Sequence, residues 1–230
     1  MDNKQDIQTI VRQISDILVM NGGFLDNPGL YTGETGLLLF FSRYARFSQN
    51  DLYFDYAYEL YEKIQNRIHI SSLINYKQGL AGIGSAVEYL VQNGFFNADT
   101  DEVLEDFDRR IFFTYNLPYL SENEIVEIGY YAQWRLSGNS AKKDMIRQLI
   151  LPQIETVKPD PSVFTDRNQF SQKTTPDLFK EKTYNCSLEL IEGDKFWGQE
   201  TGIQNGLAGW GISLLTELDG DDSCYSLFPI

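Results

Sequence analysis

Histidine is nearly missing from this sequence, which has one, and cysteine follows closely with two. That scarcity excludes whole classes of chemistry. Metal centres built from imidazole and thiolate need three or four such ligands at short spacings, whereas His69, Cys186 and Cys224 stand far apart and none adjoins a recurring motif. Two cysteines make no disulfide framework, so reduced thiols are expected. Positive charge is short as well: 19 basic residues face 33 acidic ones, a formal charge of −14. Such a surface repels nucleic-acid phosphates and anionic lipid, so neither is an expected partner, and a neutral or basic one is. No run approaches the roughly 20 apolar residues of a membrane-spanning helix. No phosphate loop, dinucleotide fingerprint or nucleophile elbow appears, and no cofactor is expected. Residues 1–6 carry neither the basic nor the apolar part of a secretory signal, which makes a cytoplasmic location the expectation.

What the chain does have is helical periodicity. Ile7, Ile10, Val11, Ile14, Ile17 and Leu18 recur at helix spacing until Asn21-Gly22-Gly23. Similar patterns follow after Gly33 (Leu37, Leu38, Phe40, Phe41, Tyr44), after an Asn50 cap (Tyr53, Tyr56, Ala57, Leu60, Ile64) and after Gly79 (Leu80, Ile83, Val87, Leu90). Three more are marked by Asp99-Thr100 with Val103, Leu104, Phe107 and Ile111, by Ile125, Ile128, Ala132 and Leu136, and by Asn139-Ser140 with Met145, Ile146 and Leu149. A last helix follows Gly206 with Leu207, Trp210, Leu214 and Leu218. Between them, residues 152–197 lose the pattern at Pro159, Pro161 and Pro176 and read as an irregular insertion with at most a short strand. The chain reads as one all-α domain over residues 1–230.

The helices repeat. Gly33-x-x-Gly36, Gly79-x-x-Gly82 and Gly206-x-x-Gly209 each open a helix, the first two 46 positions apart. Laying Leu80, Ile83 and Val87 over Ile125, Ile128 and Ala132 reveals a further copy 45 positions on that has lost its leading glycines. A two-helix unit of this period is the mark of a solenoid or a closed α/α ring. The glycines themselves read as packing residues. Their helix starts would converge at one mouth with exposed N–H groups.

The Gly-Leu-Ala-Gly copies, their spacing and the paired helices together resemble the lanthionine synthetase C-like family. The resemblance implies an α/α toroid of nested hairpins, of which about four are present here, a partial ring with a Pro-rich insertion. It also implies a peptide substrate and, in the family's cyclases, a zinc ion held by two cysteines and a histidine just before such glycines. The matching positions here are Tyr31 and Thr32 before Gly33, Lys77 and Gln78 before Gly79, and Gln204 and Asn205 before Gly206. None is a thiolate or imidazole, and Lys, Gln and Asn are poor zinc ligands. The expectation is therefore a protein without zinc catalysis that binds or presents a peptide, its mouth formed by Glu34, Lys77, Gln78, Gln204, Asn205 and Trp210, with Trp197 as a further contact in the insertion.

Two alternatives stay open. A metal-independent enzyme of glycoside-hydrolase type would use two of the carboxylates Glu34, Glu127, Glu192, Asp194 and Glu200, although most acidic residues in so acidic a chain simply face solvent. A helical self-assembly protein would use the ring surface itself. The apolar edge of a half ring needs cover, either from the insertion or from a second copy in a homodimer. Trp134 and Trp210 follow the helical period and are expected in the core.

Overall fold

Sequence punctuation becomes helix ends in a computed structural model of the chain, which describes residues 3–114, 120–157, 201–204 and 206–228. The elements are α1 (Asn3–Gly22), α2 (Glu34–Ser48), α3 (Asp51–Arg67), α4 (Leu80–Gln92), α5 (Thr100–Val103), α6 (Glu105–Asp108), a π-helical segment (Arg109–Thr114), α7 (Glu122–Ser137), α8 (Lys143–Val157), α9 (Leu207–Asp219) and a closing 3₁₀ turn (Ser223–Leu227). All regular structure among the described residues is helical, and none of these helices is long and apolar enough to cross a membrane. The expected caps are in place. The Asn50 side chain accepts from the Leu52 N–H at 3.1 Å, Asp99 does the same for Asp101, and α4 stops at Gly94 with φ 67°, a left-handed residue suited to glycine.

Four helices form a central layer in the order α9, α2, α4, α7, each packed on the next. The others flank it: α1 lies on α9, α3 on α2, α5 and α6 on α4, and α8 on α7. Burial follows this division. Every residue of α2 from Glu34 to Ala45 and of α4 from Leu80 to Leu90 is buried, while α3 buries only Ala57, Leu60 and Ile64. An apolar all-round helix is an interior helix, and a striped one covers it.

The central helices run in the same direction, because each neighbouring pair is joined at both ends. Between α2 and α4, Tyr31 meets Lys77 at the start and Arg46 bonds the Asn93 carbonyl at the finish. Between α4 and α7, Tyr76 meets Glu127 and Gln92 meets Ser137. Between α2 and α9, the Tyr31 carbonyl accepts from Gln204 and Arg43 bonds Thr216. The sequence interval of 46 thus returns as the contact register of neighbouring helices.

The C-terminal segment closes over this layer. Arg43, 2 % exposed, bonds Thr216 and Asp219 and pairs with Asp221. Tyr89 shares a hydrogen bond with Ser223, the Tyr76 hydroxyl donates to the Leu227 carbonyl at 3.0 Å, and Tyr31 meets the Phe228 ring edge-on. Cys224, Leu227 and Phe228 are buried. Among the described residues, this short segment therefore adds to the cover that α5 and α6 give α4.

Three elements depart from the sequence reading. The fifth helix is broken into α5, α6 and the π-helical segment rather than running whole. Helix α8 starts at Lys143, and Ser140 caps the preceding turn by accepting from the Lys142 N–H. The irregular insertion does not begin at Pro152: that residue sits inside α8, which continues to Val157. Proline removes one helical bond and crowds the preceding turn, and here it stands exposed while Ile146 and Ile150 anchor the turns before it in the core. Residues 158–197 lie outside the described residues.

Candidate functional site

The repeated loops before α2, α4 and α9 have one construction. In each, the chain folds back across the first turn of its own helix: Glu34 N–H bonds Asn27 O, Leu80 N–H bonds Leu73 O, and Ala208 N–H bonds Thr201 O, seven residues apart every time. The cap glycines Gly33, Gly79 and Gly206 share nearly one conformation, with φ −118°, −114° and −114°. Space rather than φ requires glycine. An added Cβ would lie 2.2 Å from Asn27 O at Gly33, 2.4 Å from Leu73 O at Gly79 and 1.8 Å from Tyr76 O at Gly82. The recurring glycines are where a returning backbone presses on a helix start.

The loops also bond one another in register. Gln204 N–H donates to Tyr31 O at 3.0 Å, and Tyr31 N–H donates to Lys77 O at 3.0 Å. All three residues occupy the position two before the cap glycine, so the same main-chain link is made twice. At α7, which lacks the glycines, the Glu127 carboxylate replaces it by accepting from Tyr76 N–H at 3.1 Å. This brings Lys77, Gln78 and Gln204 onto one end of the molecule, all exposed. Lys77 Nζ stands 5.9 Å from the centre of the Tyr31 ring. Burial, then Tyr130 and Glu127, push the Tyr31 hydroxyl up to about 12, so it remains a neutral donor at physiological pH.

Other predicted site residues fare differently. Trp210 is half-buried against the core, and Trp134 is buried in it beside Tyr89. Trp197 and Asn205 lie outside the described residues, as do Cys186, Glu192, Asp194 and Glu200. Glu34 is not a mouth residue. Its side chain is fully buried and turned toward α3, with Lys63 Nζ at 2.6 Å and Arg67 at 3.3 Å. A first-turn carboxylate favours the helix dipole, and two half-buried cations compensate its charge. His69 is exposed, and among the described residues no three of His, Cys, Asp and Glu are grouped as metal ligands.

Near the other end of α4 and α7 lies a constellation that the sequence reading missed. Arg135, wholly buried, donates to Glu88 at 2.6 Å, to Asp108 at 3.1 and 2.9 Å, and to Thr100 at 3.1 Å, and it also bonds Asp101. Asp108 accepts in addition from the Tyr131 hydroxyl at 2.7 Å and from Lys142 at 3.3 Å. Burial works against the Arg135 charge, but Asp108 and Glu88 outweigh it and raise its pKa. The network pins α4, α5, α6 and α7 together with the α7–α8 turn. One signal for it was present: Glu88 is the single charge in the largely apolar α4, and a lone charge inside a helix buried on all sides requires a partner.

Comparisons of this chain with protein-family models, curated proteins and solved structures found no match.

Proposed function

We propose that the protein is a peptide-binding module without zinc catalysis, its paired helices forming part of an α/α toroid of the lanthionine synthetase C-like kind. The peptide site is the end where the central helices begin. The observation supporting this reading is the register-matched bonding of the repeat loops, in which Lys77 and Gln204 flank Tyr31 at the helix starts and occupy positions that the resemblance matches to a cyclase's ligands. Amide side chains and a lysine over a tyrosine face suit peptide carbonyls and side chains rather than a metal. The chain's negative charge favours a neutral or basic peptide, and a second copy of the chain is the competing occupant of the same surface.

The test is selection of a displayed random-peptide library on the whole chain. Selected peptides should bind more weakly by at least about tenfold to Lys77→Glu and to Gln78→Ala/Gln204→Ala. Failure to enrich any sequence, or binding indifferent to both variants, would sink the reading. Of the carboxylates named for the alternative enzyme, the two among the described residues are engaged: Glu34 is buried beside two cations and Glu127 accepts from a main-chain N–H.

A further inference from the structure

Beside the Arg135 network, toward the C-terminal end of α7, a cavity of about 430 Å³ opens to solvent. That is within the range of small-ligand sites, and ample for one amino-acid residue. Its inner wall is the Asp108–Lys142 pair, and its rim carries Glu105, Asp106 and Arg109. Phe113, 54 % exposed, and Met145 form the apolar side.

Charge accounting around this cavity leaves one carboxylate over. Arg109 and Arg110 both pair with Asp106; Arg135 pairs with Glu88, Asp101 and Asp108; Lys142 pairs with Asp108. Four cations are thus engaged by four carboxylates. The Glu105 carboxylate, exposed on the rim, has no ion pair or side-chain hydrogen bond among the described residues, although its carbonyl accepts from the Arg109 N–H. A cavity with one uncompensated negative charge beside an open phenyl face suits a monocation on an apolar stem. An anion would meet cations already satisfied, within a chain of net charge −14.

We propose that this pocket receives one lysine or arginine side chain of a polypeptide, its cation at Glu105 and its alkyl stem along Phe113 and Met145. The inference takes from the preceding reading only that the partner is a polypeptide; the pocket and the loop end are separate surfaces and are tested separately. The paired Asp108 and Lys142 form the floor of the pocket.

The experiment titrates three probes into isotope-labelled whole chain and follows amide shifts by NMR: end-capped Gly-Lys-Gly, the same peptide acetylated on the lysine amine, and butylamine. The capped peptide should give saturable shifts centred on Phe113 and Met145, and the acetylated one none. Glu105→Gln should weaken binding about two- to fivefold, as for a rim ion pair, and Phe113→Ala should weaken it comparably. Lys77→Glu, which tests the loop end, should leave these shifts unchanged. Equal binding of the acetylated peptide, unchanged affinity in Glu105→Gln, or no saturable shift overturns the pocket. Tighter binding of butylamine than of the peptide overturns its assignment to a polypeptide.

Discussion

Replacing Arg135 by methionine should be the most damaging single change in the polar interior. Methionine fills similar volume, so the loss is chiefly electrostatic. Without the guanidinium, Glu88 keeps only neutral donors, Gln92 Nε2 at 2.9 Å and Thr100 Oγ1 at 3.5 Å. Asp108 keeps the Tyr131 hydroxyl and Lys142, and Asp101 keeps Ser140 and the Ala141 N–H. Glu88 is therefore the stranded charge, on a side chain 1 % exposed. Removing one partner of a buried pair costs about 3–5 kcal/mol. With a urea slope near 2 kcal/mol per molar, typical of small proteins, the midpoint should fall by roughly 2 M. The assay is urea unfolding followed by circular dichroism, repeated on Arg135→Met/Glu88→Gln. Neutralising Glu88 should restore about half the loss, a coupling that a double-mutant cycle reads directly. A single-variant loss below about 1 kcal/mol, or a double variant no more stable than the single, would refute the account of the network.

Further predictions concern the loops, acid stability and the tail. Gly82→Ala drives a methyl into the Tyr76 carbonyl and should cost about 3 kcal/mol or more, whereas Gly23→Ala, with open space around it, should stay within about 0.5 kcal/mol; similar thermal midpoints would sink the packing argument. Burial raises the Asp101 pKa, but Ser140, the Ala141 N–H and Arg135 outweigh it and hold the carboxyl below its ordinary value. A depressed folded pKa stabilises above the unfolded value of about 3.9 and is lost as pH falls through the folded one. Asp101→Asn should thus be less stable than wild type at neutral pH, with the difference shrinking below about pH 4; a constant difference would count against it. Burial pushes the Cys224 thiol up to about 12, against the pull of Arg43. In a Cys186→Ser background it should resist a thiol reagent until the C-terminal segment opens, and labelling at the rate of a free thiol would contradict the packing described.

Periodicity made the central helices legible, because Leu80, Ile83 and Val87 and their counterparts had no other role than to be buried. The loop architecture was half visible. The glycines announced close approach, but not that the residue two before each cap would bond its counterpart in the next repeat. Glu34 misled because its place beside a repeat glycine suggested the mouth, while its direction is set by Lys63 and Arg67 on the following helix, a tertiary fact with no local mark. The break between α5 and α6 and the helical run through Pro152 were hidden for the same reason. Arg135 carried no local mark of its burial, and only the isolated Glu88 hinted at what it faces.

The pairing of α2 with α9 joins partners some 170 positions apart, as the Arg43–Thr216 bond illustrates, and that of α1 with α9 spans more still. On a ribosome, α2 is complete long before the helix that covers one of its sides. Until α9 emerges, a helix buried on all sides in the finished fold has only its flanking neighbours for shelter, and the nascent chain holds an unfinished interior. Folding of such a chain should be late and slow for a helical protein, limited by closing a long loop rather than by forming turns. Truncation before Leu207 should leave a chain that aggregates rather than a smaller working copy.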